Sequence, residues 1–173
     1  MKNFDVKPVC RGDFDYYYKL LAQDFCECER KKYDDELRSL DNPLFSPCFI
    51  TVDGDTVGYI SFWRLGGFTF IEHFAILESK RSQAIGSEFL SFFLSMNPML
   101  TVLEVERPTD EISARRIAFY ERLGFAVNKF DYVQPSYHRG ADAVPMYICS
   151  YDRALSYDEY AECIAKIKDA VYP

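Results

Sequence analysis

The chain of 173 residues has no apolar run approaching the roughly 20 residues that a membrane span needs. Its start, Met1-Lys2-Asn3-Phe4-Asp5, carries no signal-peptide core, so a cytoplasmic protein is expected. Basic tracts are absent and the net charge is −7, which excludes the clustered Lys and Arg that phosphate-backbone binding requires. Nucleic acid and membrane are therefore not expected partners. The acidity gives a weak pull toward cationic substrates. Histidine is scarce: His73 and His138 form no helical metal-binding pair. The six cysteines, Cys10, Cys26, Cys28, Cys48, Cys149 and Cys163, include no Cys-x-x-Cys pair. Cys26-x-Cys28 has the wrong spacing for a zinc knuckle, so no metal is expected, and all six read as free thiols. Repeats, low-complexity tracts and linkers are also missing. Residues 1–173 read as one domain, with a core over about 4–151 and a helical extension over about 156–171.

Aromatic residues are abundant instead, with 15 Phe and 13 Tyr, and 49% of the chain is hydrophobic, enough to build a packed core. Strands are expected at 4–9, 48–52, 56–64, 70–77, 100–106, 125–133 and 144–151. Asp53-Gly54-Asp55 reads as a hairpin turn. Asp13 can cap a helix running to about Arg30, whose apolar stripe is Phe14, Tyr17, Tyr18, Leu21 and Phe25. A short helix follows at 34–40. Ile85, Phe89, Phe92, Phe93 and Met96 recur at helical spacing. Another helix runs from Asp110 to a stop at Gly124. Ser156 and Glu159 form a capping box for the last helix, with Tyr160, Ile164, Ile167 and Val171 on one face. This order gives an α+β fold on a single mixed, mostly antiparallel sheet flanked by helices, with an extra C-terminal helix. That helix is expected to cover a sheet edge or to join a homodimer interface.

The most informative stretch is Arg81-Ser82-Gln83-Ala84-Ile85-Gly86-Ser87. It joins the apolar strand Phe70-Ile71-Glu72-His73-Phe74-Ala75-Ile76 to a helix. Unpaired N–H groups and the helix dipole make such a junction an anion site, and Gly86 keeps side-chain bulk away from a phosphate. The stretch resembles the pyrophosphate loop of the GCN5-related N-acetyltransferases, Gln/Arg-x-x-Gly-x-Gly/Ala. Ser113-Ala114-Arg115-Arg116-Ile117-Ala118-Phe119-Tyr120-Glu121-Arg122-Leu123-Gly124-Phe125 is similar to the second signature of that family, a helix ending in Phe/Leu-Tyr-x-x-x-Gly-Phe. Two departures stand out. Ala84 replaces the first loop glycine, so ordinary helical or extended backbone is expected there. Ser113 replaces the usual Asn.

The resemblance implies an acyltransferase that uses acetyl-CoA as co-substrate and needs no metal. It implies that Arg81, Ser82, Gln83, Ala84, Ile85, Gly86 and Ser87 cradle the pyrophosphate. It implies that backbone groups of Phe74, Ala75 and Ile76 pair with the pantetheine arm, with Ser113 and Tyr120 nearby. Arg81 reads equally as a phosphate partner or as a surface residue. Tyr120 would protonate the departing thiolate, since a phenol holds its proton at neutral pH. The base is open among Glu72, Glu104, Glu106, His73 and a water relay. Glu72 is favoured, because a Glu among Phe and Ile suggests burial and a raised pKa. Strand alternation would put Glu72 on one face with Phe74 and Ile76. Tyr132, Gln134, Tyr137 and His138 could line the acceptor pocket, or serve as sheet packing and solvated loop. The expected activity is direct acetyl transfer to the primary amine of a small molecule. Alternatives are a peptide or protein acceptor, or a non-catalytic acyl-CoA sensor.

Overall fold

The computed structural model describes residues 2–172. The described chain forms two compact units, residues 2–63 with 71–97, and 64–70 with 98–172.

The first unit holds strands β1 (Phe4–Pro8), β2 (Phe45–Val52), β3 (Asp55–Arg64, to Trp63) and β4 (Phe68–Ile76, from Ile71), in the order β1-β2-β3-β4. β2 pairs antiparallel with β1 and with β3. The β2–β3 turn sits at Asp53 and Gly54, both at positive φ, 51° and 89°. That is the backbone an Asp-Gly hairpin turn demands. Helix α1 (Phe14–Asp24) buries Phe14, Tyr17, Leu20 and Leu21 against Val9, Phe49 and Tyr59. α1 ends six residues before the expected Arg30. Phe25 turns extended, and a short 3-10 turn over Glu27–Glu29 follows, closed by the Cys26 N–H on the Glu29 carboxylate at 3.0 Å. Asp13 does not cap α1 with its side chain, because its carboxylate accepts from Cys10 Sγ instead.

Helix α2 (Tyr33–Ser39) follows as expected, and α3 (Ile85–Met96) buries Ile85, Phe89, Leu90, Phe93 and Leu94. The Phe89 ring lies within about 6 Å of Phe4, Phe74, Phe92 and Phe93, an aromatic cluster of the kind that adds to area burial. Met96, expected on that face, is exposed. β3 and β4 approach closely at Gly58. A Cβ there would collide with the Ala75 carbonyl oxygen and lie 3.2 Å from Ile76 Cα.

The second unit holds β5 (Leu100–Glu106), β6 (Phe125–Gln134) and β7 (Val144–Tyr151), antiparallel in the order β5-β7-β6. The register slips between Asn128 and Tyr132. Buried Asn128 anchors the slip. It donates to Ile148 O (3.0 Å) and Ser150 Oγ (2.9 Å), and accepts from Leu155 N (2.8 Å). Helix α4 (Glu111–Arg122) starts at an Asp110–Ser113 capping box, and Gly124 ends it at φ 94°. Helix α5 (Tyr157–Val171) opens with the expected Ser156–Glu159 box. It buries Tyr160, Cys163, Ile167 and Val171, with Ile164 half-buried beside Cys163. Among the described residues, no helix is long and apolar enough to cross a membrane.

Candidate active site

The loop before α3 departs from ordinary backbone. Ser82 and Ala84 both adopt left-handed conformations, φ 63° and 57°. The expectation of ordinary geometry at Ala84 is therefore corrected. An alanine Cβ crowds the backbone there, a strain that tends to gather at functional sites. Left-handed residues just before a right-handed helix are the backbone combination from which anion-binding nests are built. No side chain caps the α3 N-terminus, and the Ser87 hydroxyl donates back to Ala84 O. Gly86 lies half-buried in the first turn, while Ser82, Gln83 and Ala84 are exposed. The loop is tied down from outside. Lys2 Nζ reaches Gln83 O (3.3 Å) and Glu88 (2.7 Å). Arg81 donates through Nε to Ile76 O (2.9 Å) and through its terminal nitrogen to Asp24 (2.6 Å). Asp24 also accepts from the Tyr59 hydroxyl at 2.9 Å. In this state the Arg81 guanidinium buckles the end of β4 to the end of α1.

β4 presents Phe74, Ala75 and Ile76 half-buried, with Phe74 stacked on Phe89 and Ala75 packed against the α1 core. Upstream the expected alternation breaks. Glu72 does not share a face with Phe74. Its carboxylate turns with His73 toward the segment between α1 and α2, drawn by Lys31 and by the Trp63 indole. Lys31 Nζ donates to one Glu72 oxygen at 2.9 Å, and Trp63 Nε1 to the other at 2.6 Å. Glu36, from α2, lies 3.9 Å from the same ammonium and accepts from Tyr17 at 3.1 Å. Both glutamate side chains are fully buried, and the Lys31 side chain is 10% exposed.

The raised pKa expected of Glu72 is corrected by this geometry. Burial alone would push it up, but the Lys31 ammonium, with the Trp63 N–H, outweighs burial and holds it low. Burial would likewise drain the charge of Lys31, and Glu72 and Glu36 overcome that, so Lys31 stays an ammonium. Glu36 takes the opposite shift, to about 7, through burial and the neighbouring Glu72 charge. His73 is held low by burial. Its Nε2 lies 2.8 Å from Glu29 O, which only accepts, so Nε2 carries the hydrogen and Nδ1 faces the Ser61 hydroxyl at 3.3 Å. His73 thus serves as a fixed structural link.

Cys26 and Cys28 are joined by a disulfide, which corrects the reading of six free thiols. The 3-10 turn brings their Cα atoms to 5.4 Å, ordinary spacing for such a bond. Among the described residues, no group of three or more His, Cys, Asp or Glu side chains is placed to hold a metal ion.

In the second unit, Tyr120 lies on α4 with its ring edge-on to Phe119 and Phe125. Burial pushes its phenol up to about 12, against the opposing charge of Arg116, so it keeps its proton. Ser113 is buried in the α4 cap, accepting from Thr109 N and Asp110 N at 3.1 Å each, so its hydroxyl is engaged within its own helix start. Glu104 accepts from the Tyr132 hydroxyl, from Gln134 Nε2 (2.5 Å) and from the Tyr172 hydroxyl (2.7 Å). Tyr172 was not anticipated from the sequence. It approaches Glu104 from 68 residues away, and only the apolar face of α5 hinted that the chain returns there. Tyr137, read as acceptor-pocket lining or solvated loop, is buried with its ring 4.9 Å from that of Tyr172. His138 is half-buried in the same loop. Glu106 faces Arg116 at 3.6 Å.

Comparison with known proteins agrees with this architecture. The family model for the acetyltransferase (GNAT) domain matches residues 45–127. A solved structure from Bacteroides thetaiotaomicron, described as a GNAT-family acetyltransferase, is 31% identical. The match covers 98% of each chain with a TM-score of 0.89. A chimera of the Vibrio cholerae spermidine N-acetyltransferase SpeG and hSSAT is 11% identical over 86% of this chain and 94% of that one, TM-score 0.62. Arabidopsis thaliana NAA60, solved with a bisubstrate analogue, is 13% identical over 86% and 97%, TM-score 0.61. The last two share the fold alone. No curated protein matches the sequence.

Proposed function

The chain belongs to the GNAT family of acetyltransferases, and from that premise we propose that it moves an acetyl group from acetyl-CoA directly to the primary amine of a small molecule. The family takes its acetyl group from acetyl-CoA, and the observation that carries the assignment here is the loop before α3. Two left-handed residues and a helix start with no side-chain cap from Ala84 support reading it as a pyrophosphate cradle. Ser82, Gln83, Ala84, Ile85, Gly86 and Ser87 would hold it mainly through backbone. Phe74, Ala75 and Ile76 would pair with the pantetheine arm. Arg81 would act by holding Ile76 and Asp24 in place, and Ser113 by starting α4.

Transfer needs an amine without its extra proton, then a proton for the sulfur. Glu72, held ionised by its contact with Lys31, would meet the acceptor's ammonium as a charge partner, and the ammonium proton would leave through a water. The amine nitrogen would then bond to the acetyl carbon as the carbon–sulfur bond breaks. The thiolate would collect the Tyr120 proton, which burial keeps on the phenol at neutral pH. A small cationic acceptor fits the net charge of −7.

The test is thiol release from acetyl-CoA against amines, amino acids, polyamines, aminoglycosides and peptides. Turnover with a small amine is expected. Turnover with peptides alone would move the acceptor class. Tight acetyl-CoA binding without turnover on any acceptor would leave a sensor.

A further inference from the structure

Lys31 is an unusual side chain to bury. It is linear, it carries a primary ammonium, and it descends between α1 and α2 onto the carboxylate of Glu72 at 2.9 Å. A second carboxylate, Glu36, flanks it at 3.9 Å. Two aromatic faces complete the enclosure, with the ammonium 5.1 Å from the Trp63 ring centre and 5.8 Å from that of Phe45. Those distances are within the range of cation–π attraction. Phe45 and Trp63 are register partners on β2 and β3, so the aromatic wall is fixed by sheet pairing. The Trp63 N–H orients Glu72 from behind.

Carboxylates paired with aromatic faces form a recognition site for an alkylammonium, and here one is seated in it. Glu36 adds an independent sign. Its Oε2 is buried and accepts no hydrogen bond, and it is aimed at the ammonium from beyond hydrogen-bond reach. A free ammonium, less constrained than one on a tether, could approach both carboxylates.

We propose that this enclosure is the acceptor-ammonium site, and that Lys31 is its tethered occupant, a built-in stand-in for an unbranched primary alkylammonium substrate. The proposal rests on the reading of Glu72 as the carboxylate that meets the acceptor. An acceptor enters as the Lys31 segment lifts off, and its ammonium replaces that of Lys31 on Glu72. Lys31 therefore competes with substrate and sets both the charge and the chain shape the site accepts.

The test is a binding measurement that needs no acetyl transfer. Lys31→Ala empties the enclosure. With n-propylammonium at about 10 mM, its melting temperature should rise by about 3 °C, several times the wild-type response. The rise should be absent with n-propanol and in Lys31→Ala combined with Glu72→Gln. A rise matched by n-propanol, or one that survives Glu72→Gln, overturns the proposal. Should Lys31→Ala not fold, Lys31→Ser with Glu36→Gln removes one charge of each sign and still vacates the ammonium position. Loss of the tethered competitor should then lower KM for n-propylammonium at least about fivefold, roughly 1 kcal/mol of relieved competition. An unchanged KM counts against the tether. If no amine is acetylated at all, the proposed activity fails while the melting result still decides the binding site.

Discussion

Ala84→Gly separates two descriptions of the cofactor loop by the sign of one number. The structure puts Ala84 at φ 57°, ψ 6°, where its Cβ crowds the backbone at a cost of about 1 kcal/mol or more. Glycine removes that crowding but gives the unfolded chain more freedom, which costs about 0.4–1 kcal/mol. The net expectation is a small gain, about 0.5 kcal/mol, or a rise of about 1–2 °C in melting temperature. Were residue 84 in ordinary helical or extended backbone, the same exchange would lose about 0.5–1 kcal/mol. The two outcomes differ by about 1–1.5 kcal/mol, within reach of paired urea titrations analysed for midpoint and slope. Ala84→Val should fall on the other side, since a β-branched residue tolerates the left-handed region worse than alanine. Acetyl-CoA affinity measured by calorimetry should hardly change in Ala84→Gly, because the backbone N–H groups are retained. A clear loss of stability in Ala84→Gly would refute the left-handed loop and the nest built on it.

Gly86→Glu should abolish acetyl-CoA binding by calorimetry while circular dichroism stays native, since it sets bulk and negative charge in the first turn of α3. Tyr120→Phe should cut kcat about 10²–10⁴-fold with acetyl-CoA affinity retained; a loss under about threefold would make the phenol structural. Glu36→Gln should gain stability relative to wild type as pH rises. The folded pKa of Glu36, about 7, lies above its ordinary value of 4.5. Its contribution is thus full below that ordinary value and is lost as pH rises through about 7. Tyr17, Lys31 and Glu72 face this carboxyl and share the effect. Urea unfolding at acid and alkaline pH measures it, and a pH-independent difference between the two proteins would refute it.

Features governed by neighbours in sequence were legible. The Asp53-Gly54 turn, the Ser156–Glu159 capping box and the stop at Gly124 depend on a few consecutive residues, and all three appear in the structure. The order of elements followed from periodicity and motif spacing, and the family it suggested is the one the chain belongs to. Features set by distant partners were not legible. The end of α1 at Asp24 is held by Arg81, 57 residues on, and the charge state of Glu72 by Lys31, 41 residues before it. The partners of the Glu72 carboxylate, Lys31 and the Trp63 indole, lie on other elements, so alternation within the strand did not reveal them. Ala84 was misread because propensity counts the cost of a left-handed alanine and not the Lys2 and Arg81 contacts that fasten the loop.

The tight approach at Gly58 has a consequence for any survey of tolerated substitutions. Position 58 touches no proposed substrate and bears no reactive group, yet the smallest side chain there meets the carbonyl of Ala75 and crowds Ile76. These are two of the three residues whose backbone is proposed to run along the pantetheine. Replacing this glycine would displace the ruler against which the arm is laid out. A screen for lost turnover would therefore mark residue 58 as though it were part of the chemistry. A screen for lost folding could miss it, wherever the strands part slightly and still pair.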